Sequence, residues 1–235
     1  MSPAPAPRYS LVIPAYNEEK RIAYLFESIT QFDGELIVVC DGSDRTADVV
    51  ETIAKNRPSL SIRCLRFSTR LGKGGGVIAG LAAAQAPLVG YVDADGSTGI
   101  DEICRLFGDL STFDAVIGSR WVPGSQLAIR QGWLRRLESR GFNGIIRVLF
   151  GLSFHDTQCG AKVFKKSAVD AVLPHLIARG FEFDVELIWR LSRAGYRIEE
   201  VPIVWQNKGG SRVRKGDMIR MLTGLFRIRL HPGMP

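Results

Sequence analysis

The residues Asp93-Ala94-Asp95 follow directly on an apolar run, Leu88-Val89-Gly90-Tyr91-Val92. A short apolar run bounded by turn residues has the pattern of a buried strand. Carboxylates just past such a strand stand where open α/β sheets bind ligands, at the strands' carboxyl ends. Paired acidic oxygens suit a hard divalent cation, and Mg²⁺ is usually held by one or two carboxylates together with substrate phosphates. Asp93 and Asp95 are therefore candidate ligands of Mg²⁺ or Mn²⁺ in a metal-nucleotide site. The plain alternative is a pair of solvated loop acids.

Three other segments carry residues of similar promise. Pro14-Ala15-Tyr16-Asn17-Glu18 follows a first apolar run and opens a helix, whose free N–H groups and dipole can meet an anion. Tyr16 could stack on a base there, or Asn17 could simply cap the helix. After a second run comes Cys40-Asp41-Gly42-Ser43, where Asp41 could accept from a base or ribose, or cap the next helix. Gly72-Lys73-Gly74-Gly75-Gly76 has part of a phosphate loop. It is not a Walker A sequence, because Phe67 stands at the first glycine and Gly74 at the required Ser or Thr. Lys73 could still reach a diphosphate, with the glycines serving close helix packing.

The elements that must position these residues alternate. Strands are expected at Tyr9–Pro14, Glu35–Val39, Ser61–Phe67, Leu88–Val92 and Asp114–Gly118. Helices are expected near Glu18–Phe32, from Ser43 or Asp44 to Lys55, from Gly72 to Ala86, and near Asp101–Leu110. Strands separated by helices imply a mostly parallel, doubly wound sheet. The second half is less regular, with helices at Trp133–Phe150 and Phe183–Arg193 and strands at Ala161–Phe164 and Arg197–Val204. A final amphipathic helix, Asp217–Leu230, carries Arg220, Arg227 and Arg229 among its apolar residues.

Bulk properties narrow the class. A chain of 235 residues with 46% hydrophobic and 23% charged residues is ordinary globular material, and none of its apolar runs reaches a membrane span. Residues 1–8 are expected to be a loose tail rather than a signal peptide, and 9–235 one domain. Cys40, Cys64, Cys104 and Cys159 are scattered, which implies reduced thiols in a cytoplasmic protein. His155, His175 and His231 lack ligand spacing. The net charge of +7 is concentrated. Arg120 to Arg147 holds six arginines against Glu138, and Lys208 to Arg229 seven basic residues against Asp217. Such segments imply an anionic partner: phosphates, an anionic membrane or nucleic acid. Nucleic acid is disfavoured, because the basic segments lack interleaved aromatics and the acidic pair would repel a backbone.

In their order, Pro14 to Glu18, Val39 to Ser43, Gly72 to Gly74 and Asp93 to Asp95 resemble the inverting GT-A glycosyltransferases of family 2. Gly118-Ser119-Arg120, Ser139-Arg140, Asp156 to Lys162, Phe183 to Leu187 and Gly210-Ser211-Arg212 resemble the polyprenyl-phosphate branch of that family. Asp-Ala-Asp-Gly and Asp-Thr-Gln-Cys-Gly favour its dolichyl-phosphate β-glucosyltransferase type over the mannosyl type. The match spans about residues 9–230. Three positions depart from the pattern: Cys40 stands where many relatives have Asp, Arg212 where Lys is common, and Ala161 where Phe is expected.

The resemblance implies a Rossmann-like GT-A fold, with a nucleotide-sugar half at 9–119 and an acceptor half at 120–235. It implies metal-dependent, inverting transfer of a hexose from a nucleotide-diphosphate sugar, UDP-glucose, to a polyprenyl or dolichyl monophosphate. GDP-mannose or a soluble acceptor is the alternative. Pro14, Tyr16, Glu18, Val39, Asp41, Lys73, Asp93, Ala94 and Arg212 would line the nucleotide-sugar site. Arg120, Ser139 and Arg140 would hold the acceptor phosphate, and Asp95, Arg120, Arg140 and Asp156 would serve the transfer. Asp156 would orient the acceptor or an arginine, and Asp184 would only cap or pair with Arg190. Eukaryotic glucosyl members carry an anchoring segment not seen here, so membrane contact is expected to be peripheral, on an anionic surface.

Overall fold

The computed structural model describes residues 7–127, 133–206 and 215–231. Arg212 lies outside them. Ser139 and Arg140 are described only as helical backbone, so their side-chain positions also lie outside the described residues.

Seven strands form one sheet: β1 (Tyr9–Ala15), β2 (Gly34–Cys40), β3 (Ser61–Arg66), β4 (Leu88–Val92), β5 (Ala115–Ser119), β7 (Ala161–Lys165) and β8 (Ile198–Pro202). Their order is β3-β2-β1-β4-β7-β5-β8. All pairings are parallel except those of β7, which is antiparallel to both β4 and β5. The sheet is mostly parallel, as expected, and β7 threads the second half of the chain between strands of the first.

Helices cover both faces, which is why the central strands are continuous apolar runs rather than alternating ones. One face carries α1 (Ile22–Glu27), α2 (Thr46–Asn56) and α4 (Ile100–Asp109), through Leu25, Phe26, Val50, Ile103 and Phe107. The other carries α3 (Gly72–Ala83), α5 (Trp133–Phe150), α6 (Lys166–Val172), α7 (Phe183–Arg193) and α8 (Lys215–Leu230). Val77, Ile146, Val169, Leu187 and Leu225 fill that layer. The edge strand β3 is only half-buried and bears Arg63 and Arg66, charges that blunt an exposed edge.

Several boundaries differ from the sequence reading. The first helix was expected over Glu18–Phe32 but spans only Ile22–Glu27. Its entry is a turn in which Asn17 has φ of 54°. Its exit is tied down from outside: the Ser28 hydroxyl bonds to the Leu25 carbonyl, and the Arg57 guanidinium reaches the Phe26 and Ile29 carbonyls. Those are carbonyls that a further turn of helix would otherwise need to satisfy. The expected strand Arg197–Val204 is two strands. After Pro202, whose nitrogen cannot donate to a ladder, the chain forms β9 (Val204–Trp205) against β6 (Gln126–Leu127) in a separate pair.

The last helix buries Met221, Leu225 and Ile228 against the core. Its outer side mixes arginines with exposed Met218, Ile219, Phe226 and Leu230, so it is not the simple two-faced helix expected.

Candidate active site

Because β1, β2, β4 and β5 run parallel, their carboxyl ends lie on one edge of the sheet. The antiparallel β7 begins at that same edge. Pro14 to Glu18, Asp41, Asp93 to Asp95, Arg120 and Asp156 to Gly160 therefore converge, although they are spread over about 145 residues of chain.

Asp93 leaves β4 with its amide donating to the Gly160 carbonyl at 3.0 Å. The position of Gly160 is closed to any larger residue, since a Cβ there would lie 1.9 Å from Asp93 Oδ2. Asp95 accepts from the Ser97 amide at 2.9 Å, a turn that fixes its carboxylate. The Ser97 carbonyl in turn accepts from Gln206 N at 2.8 Å.

Lys73 is the cation of this edge. Its Nζ lies 3.0 Å from Asp93 Oδ1 and 3.1 Å from Asp184 Oδ2. Burial works against its charge, but Asp184 and Asp93 outweigh it and hold its pKa above the usual lysine value. Desolvation pushes the Asp93 carboxyl upward; Lys73 opposes this, and Asp95 and Asp184 add to it. The glycines around Lys73 serve close packing. A Cβ on Gly74 would lie 2.4 Å from Phe183 Cβ, so α3 can press against the start of α7 only without one.

Asp184 does not pair with Arg190, contrary to the sequence reading. Arg190 is taken by Glu186 at 2.7 Å, one helical turn earlier on α7. Asp184 Oδ1 instead accepts from the Tyr91 hydroxyl and from Lys162 Nζ at 2.6 Å. Burial would raise its pKa, yet Lys162 and Lys73 pull it down to about 2.

Arg120 is seated on Asp156. Its Nε and Nη2 donate to the two carboxylate oxygens at 2.7 and 2.9 Å, and its backbone N–H donates to Oδ2 at 3.0 Å. This two-pronged geometry holds the guanidinium plane in place. Asp156 is fully buried while Arg120 retains 18% side-chain exposure. Trp205 flanks the guanidinium at 5.6 Å. Arg120 also feels the charge of Asp93, so the basic group and the acidic pair share one electrostatic environment. Of the two roles open to Asp156, the geometry is that of orienting the arginine.

On the β1–β2 side, Asp41 Oδ2 accepts from the Leu71 and Gly72 amides at 2.8 and 3.1 Å, tying β2 to the start of α3 rather than capping α2. Tyr16 has the Arg70 guanidinium 4.1 Å above its ring. Glu18 pairs with Arg21 at 2.7 Å, and Arg21 in turn feels Asp95. Cys40, at the departure from the family pattern, is buried 3.8 Å from Cys64 Sγ on the neighbouring strand. These two cysteines are adjacent in the fold, which their spacing in the chain did not reveal.

Among the described residues no three His, Cys, Asp or Glu side chains converge as a metal cage. The residues nevertheless fit a hard divalent cation. Asp93 and Asp95 supply two carboxylates, a cation already rests on Asp93 in the form of Lys73, and Mg²⁺ and Mn²⁺ suit oxygen ligands completed by substrate phosphates.

The profile described as Glycosyl transferase family 2 matches residues 10–173, most of the chain and nearly all of the edge described above. The chain belongs to glycosyltransferase family 2. It is 35% identical to a dolichyl-phosphate beta-glucosyltransferase of Trichomonas vaginalis, over 94% of this chain and 71% of the relative. It is 31% identical to the dolichyl-phosphate beta-glucosyltransferase of Saccharomyces cerevisiae, over 94% of this chain and 74% of the relative. A solved structure, glucosyl-3-phosphoglycerate synthase from Mycobacterium tuberculosis with Mn²⁺, UDP-glucose and phosphoglyceric acid, superposes with a TM-score of 0.67 at 23% identity. It covers 97% of this chain and 81% of that one, which establishes the GT-A fold.

The sequence reading of this family 2 site gave no role to Tyr91 or Glu200, and took Lys162 only as the end of the Asp156-to-Lys162 motif. Glu200 accepts from the backbone amides of His155 and Asp156, and so fixes the loop that carries Asp156. Lys162 did leave a signal: it is a charged residue between the apolar Ala161 and Val163 of β7, and it is fully buried.

Proposed function

We propose that this chain transfers glucose from UDP-glucose to a polyprenyl or dolichyl monophosphate with inversion, using Mg²⁺ or Mn²⁺. The observation that carries the reading is the seating of Arg120 on Asp156 at the same sheet edge as the Asp93–Lys73 pair. One edge thus offers a carboxylate pair for a metal-bound diphosphate and an oriented guanidinium for a second phosphate. The names of the similar relatives agree with that pairing of substrates.

Asp93 and Asp95 would hold a divalent cation, which would supply electrostatic stabilisation of the departing diphosphate. Lys73 adds a second positive charge there, and Arg212 a third. Tyr16, Glu18, Val39 and Asp41 line the nucleoside side, at the ends of β1 and β2. Arg120, with Arg140 and Ser139, orients the acceptor phosphate. A phosphomonoester with a second pKa near 6 is largely a dianion at neutral pH, so it attacks without a general base. Neither buried acid is suited to be one. Asp156 has both oxygens on Arg120, and Asp184 is held near pKa 2 with both oxygens occupied.

Such an acceptor presents its phosphate at a membrane surface. No helix among the described residues is long and apolar enough to cross a membrane. We assign the docking surface to α5 and α8, which are joined where Arg229 Nε donates to the Leu149 carbonyl at 3.2 Å. Exposed Ile145, Val148, Ile219, Phe226 and Leu230 lie on these two helices with Arg147, Arg220, Arg227 and Arg229. Apolar anchors among basic residues suit an anionic interface, where each nearby Arg contributes about 1 kcal/mol.

The test is incubation with UDP-glucose and a polyprenyl phosphate, scored for sugar in the organic phase, with GDP-mannose and with 3-phosphoglycerate in parallel arms. Organic-phase glucose supports the reading. Product only from GDP-mannose, or only on the soluble phosphate, replaces it. In liposome sedimentation, binding should require anionic lipid, fade at high salt and weaken in Phe226→Glu. Unchanged binding by that variant would remove α8 from the surface.

A further inference from the structure

Asp184 is one of the most thoroughly engaged acids of the described residues, yet the transfer gives it no step. Its side chain is 2% exposed, and Oδ1 is occupied by Tyr91 and by Lys162, both fully buried. A buried lysine with no exposure is a costly counter-ion, repaid only by good geometry and additional hydrogen bonds. Lys162 has both, since it also donates to the Cys159 carbonyl. The Asp184–Lys162–Tyr91 group is thus a fixed, buried ion pair. Its remaining oxygen, Oδ2, faces Lys73 at 3.1 Å. Lys73 is the shared member, because its other contact is Asp93 at 3.0 Å.

The charges of this cluster decide what Lys73 does. Lys73 and Lys162 stand against Asp93, Asp95 and Asp184, leaving one net negative charge. A dication alone would turn that into a net positive charge, and a nucleotide diphosphate arriving with it would restore the original sign. Lys73 therefore opposes the metal by itself, through like charge and by holding Asp93, and it favours the metal and diphosphate together. We propose that Asp184 is a positioning residue for Lys73, and that Lys73 so held couples metal binding to diphosphate binding. Without nucleotide the ammonium rests on Asp93; when the metal takes Asp93, Asp184 keeps the ammonium beside the diphosphate instead of releasing it to solvent. This inference rests on the reading that Asp93 and Asp95 hold the metal.

The test is Mn²⁺ binding followed by the electron paramagnetic resonance of free Mn²⁺, with and without UDP. Wild-type protein should bind Mn²⁺ weakly alone and more tightly with UDP, by a coupling factor on the order of 10 to 100. Lys73→Met should bind Mn²⁺ alone more tightly than wild type, and its coupling factor should fall several-fold. Asp184→Asn by itself would strand Lys162, so the positioning role is read from the double variant Asp184→Asn/Lys162→Met. There Mn²⁺ alone should bind no more tightly than in wild type, while the coupling factor falls. If Lys73→Met keeps wild-type affinity and coupling, the inference is wrong and the metal assignment stands. If the double variant keeps wild-type coupling, Asp184 has no positioning role. If wild type binds no Mn²⁺ even with UDP, the metal assignment fails and takes the inference with it.

Discussion

Adding one methyl group, in Gly160→Ala, should disable the site without removing a charge. The new Cβ would lie 1.9 Å from Asp93 Oδ2 and 2.2 Å from its Cγ. Ordinary contact begins near 3.4 Å, so the carboxylate must move by about 1.5 Å. The backbones cannot easily separate, because the Asp93 amide is bonded to the Gly160 carbonyl where β4 and β7 meet. Relief comes from turning the Asp93 side chain, which breaks its 3.0 Å contact with Lys73 and displaces the carboxylate proposed to hold the metal. Misplacement by about 1 Å can cost on the order of 100-fold in rate, and overpacking costs about 1–3 kcal/mol of stability. Turnover should therefore fall about 100-fold, with a Tm loss of about 2–4 °C for each kcal/mol at this chain length. Gly99→Ala is the control, since a Cβ there meets nothing within 4 Å. Steady-state kinetics and Mn²⁺ binding, each beside a melting curve, measure the effect. Wild-type turnover and Mn²⁺ affinity in Gly160→Ala would refute the placement of Asp93 at the centre of the chemistry.

Asp95→Ala should nearly abolish turnover while leaving the melting temperature close to wild type; full activity of that variant in the presence of a chelator would overturn the metal assignment. Arg120→Ala should weaken use of the acceptor strongly while donor affinity, measured by calorimetry, stays near wild type. A collapse of donor affinity would move Arg120 to the nucleotide side. Asp156→Asn leaves Arg120 without its buried counter-charge, so it should cost about 3–5 kcal/mol in chemical denaturation and reproduce the acceptor defect; wild-type behaviour in both would refute the seating of Arg120. Lys162 and Lys73 hold the folded Asp184 carboxyl down at about 2, below the ordinary aspartate value. Its stabilisation is complete above the higher value and is lost as pH falls toward the lower one, because the unfolded chain binds the proton first. That contribution, about 2 kcal/mol by linkage, should vanish from the acid limb of the stability curve in Asp184→Asn/Lys162→Met. Asp93, with its raised pKa, acts in the opposite sense, so the difference between variant and wild type is the quantity to read; identical acid limbs would refute the Asp184 assignment.

Much of this architecture was legible in the sequence because strand and loop signals are local. The runs at β1, β2, β4 and β5 are mostly apolar, as parallel strands covered on both faces must be, and each ends on the residues that form the site. Asp93, Asp95 and Asp41 could be singled out because a polar residue just past a buried strand is a local pattern, Lys73 because glycines surround it, and Arg120 through the family resemblance. Side-chain partners were not legible, because they are set by which strands become neighbours. That β7 turns antiparallel between β4 and β5 is what brings Gly160 under Asp93 and Lys162 onto Asp184. The pairing expected for Asp184 failed for the same reason: Glu186 stands one helical turn from Arg190 and takes it, leaving Asp184 to Lys162 of β7 and Lys73 of α3. Cys40 and Cys64, far apart in the chain, meet only because β2 and β3 are adjacent. Residue types and local spacing determined the strands, the acidic pair and the family. The tertiary structure decided which charge faces which, because desolvation and contact act through space rather than along the chain.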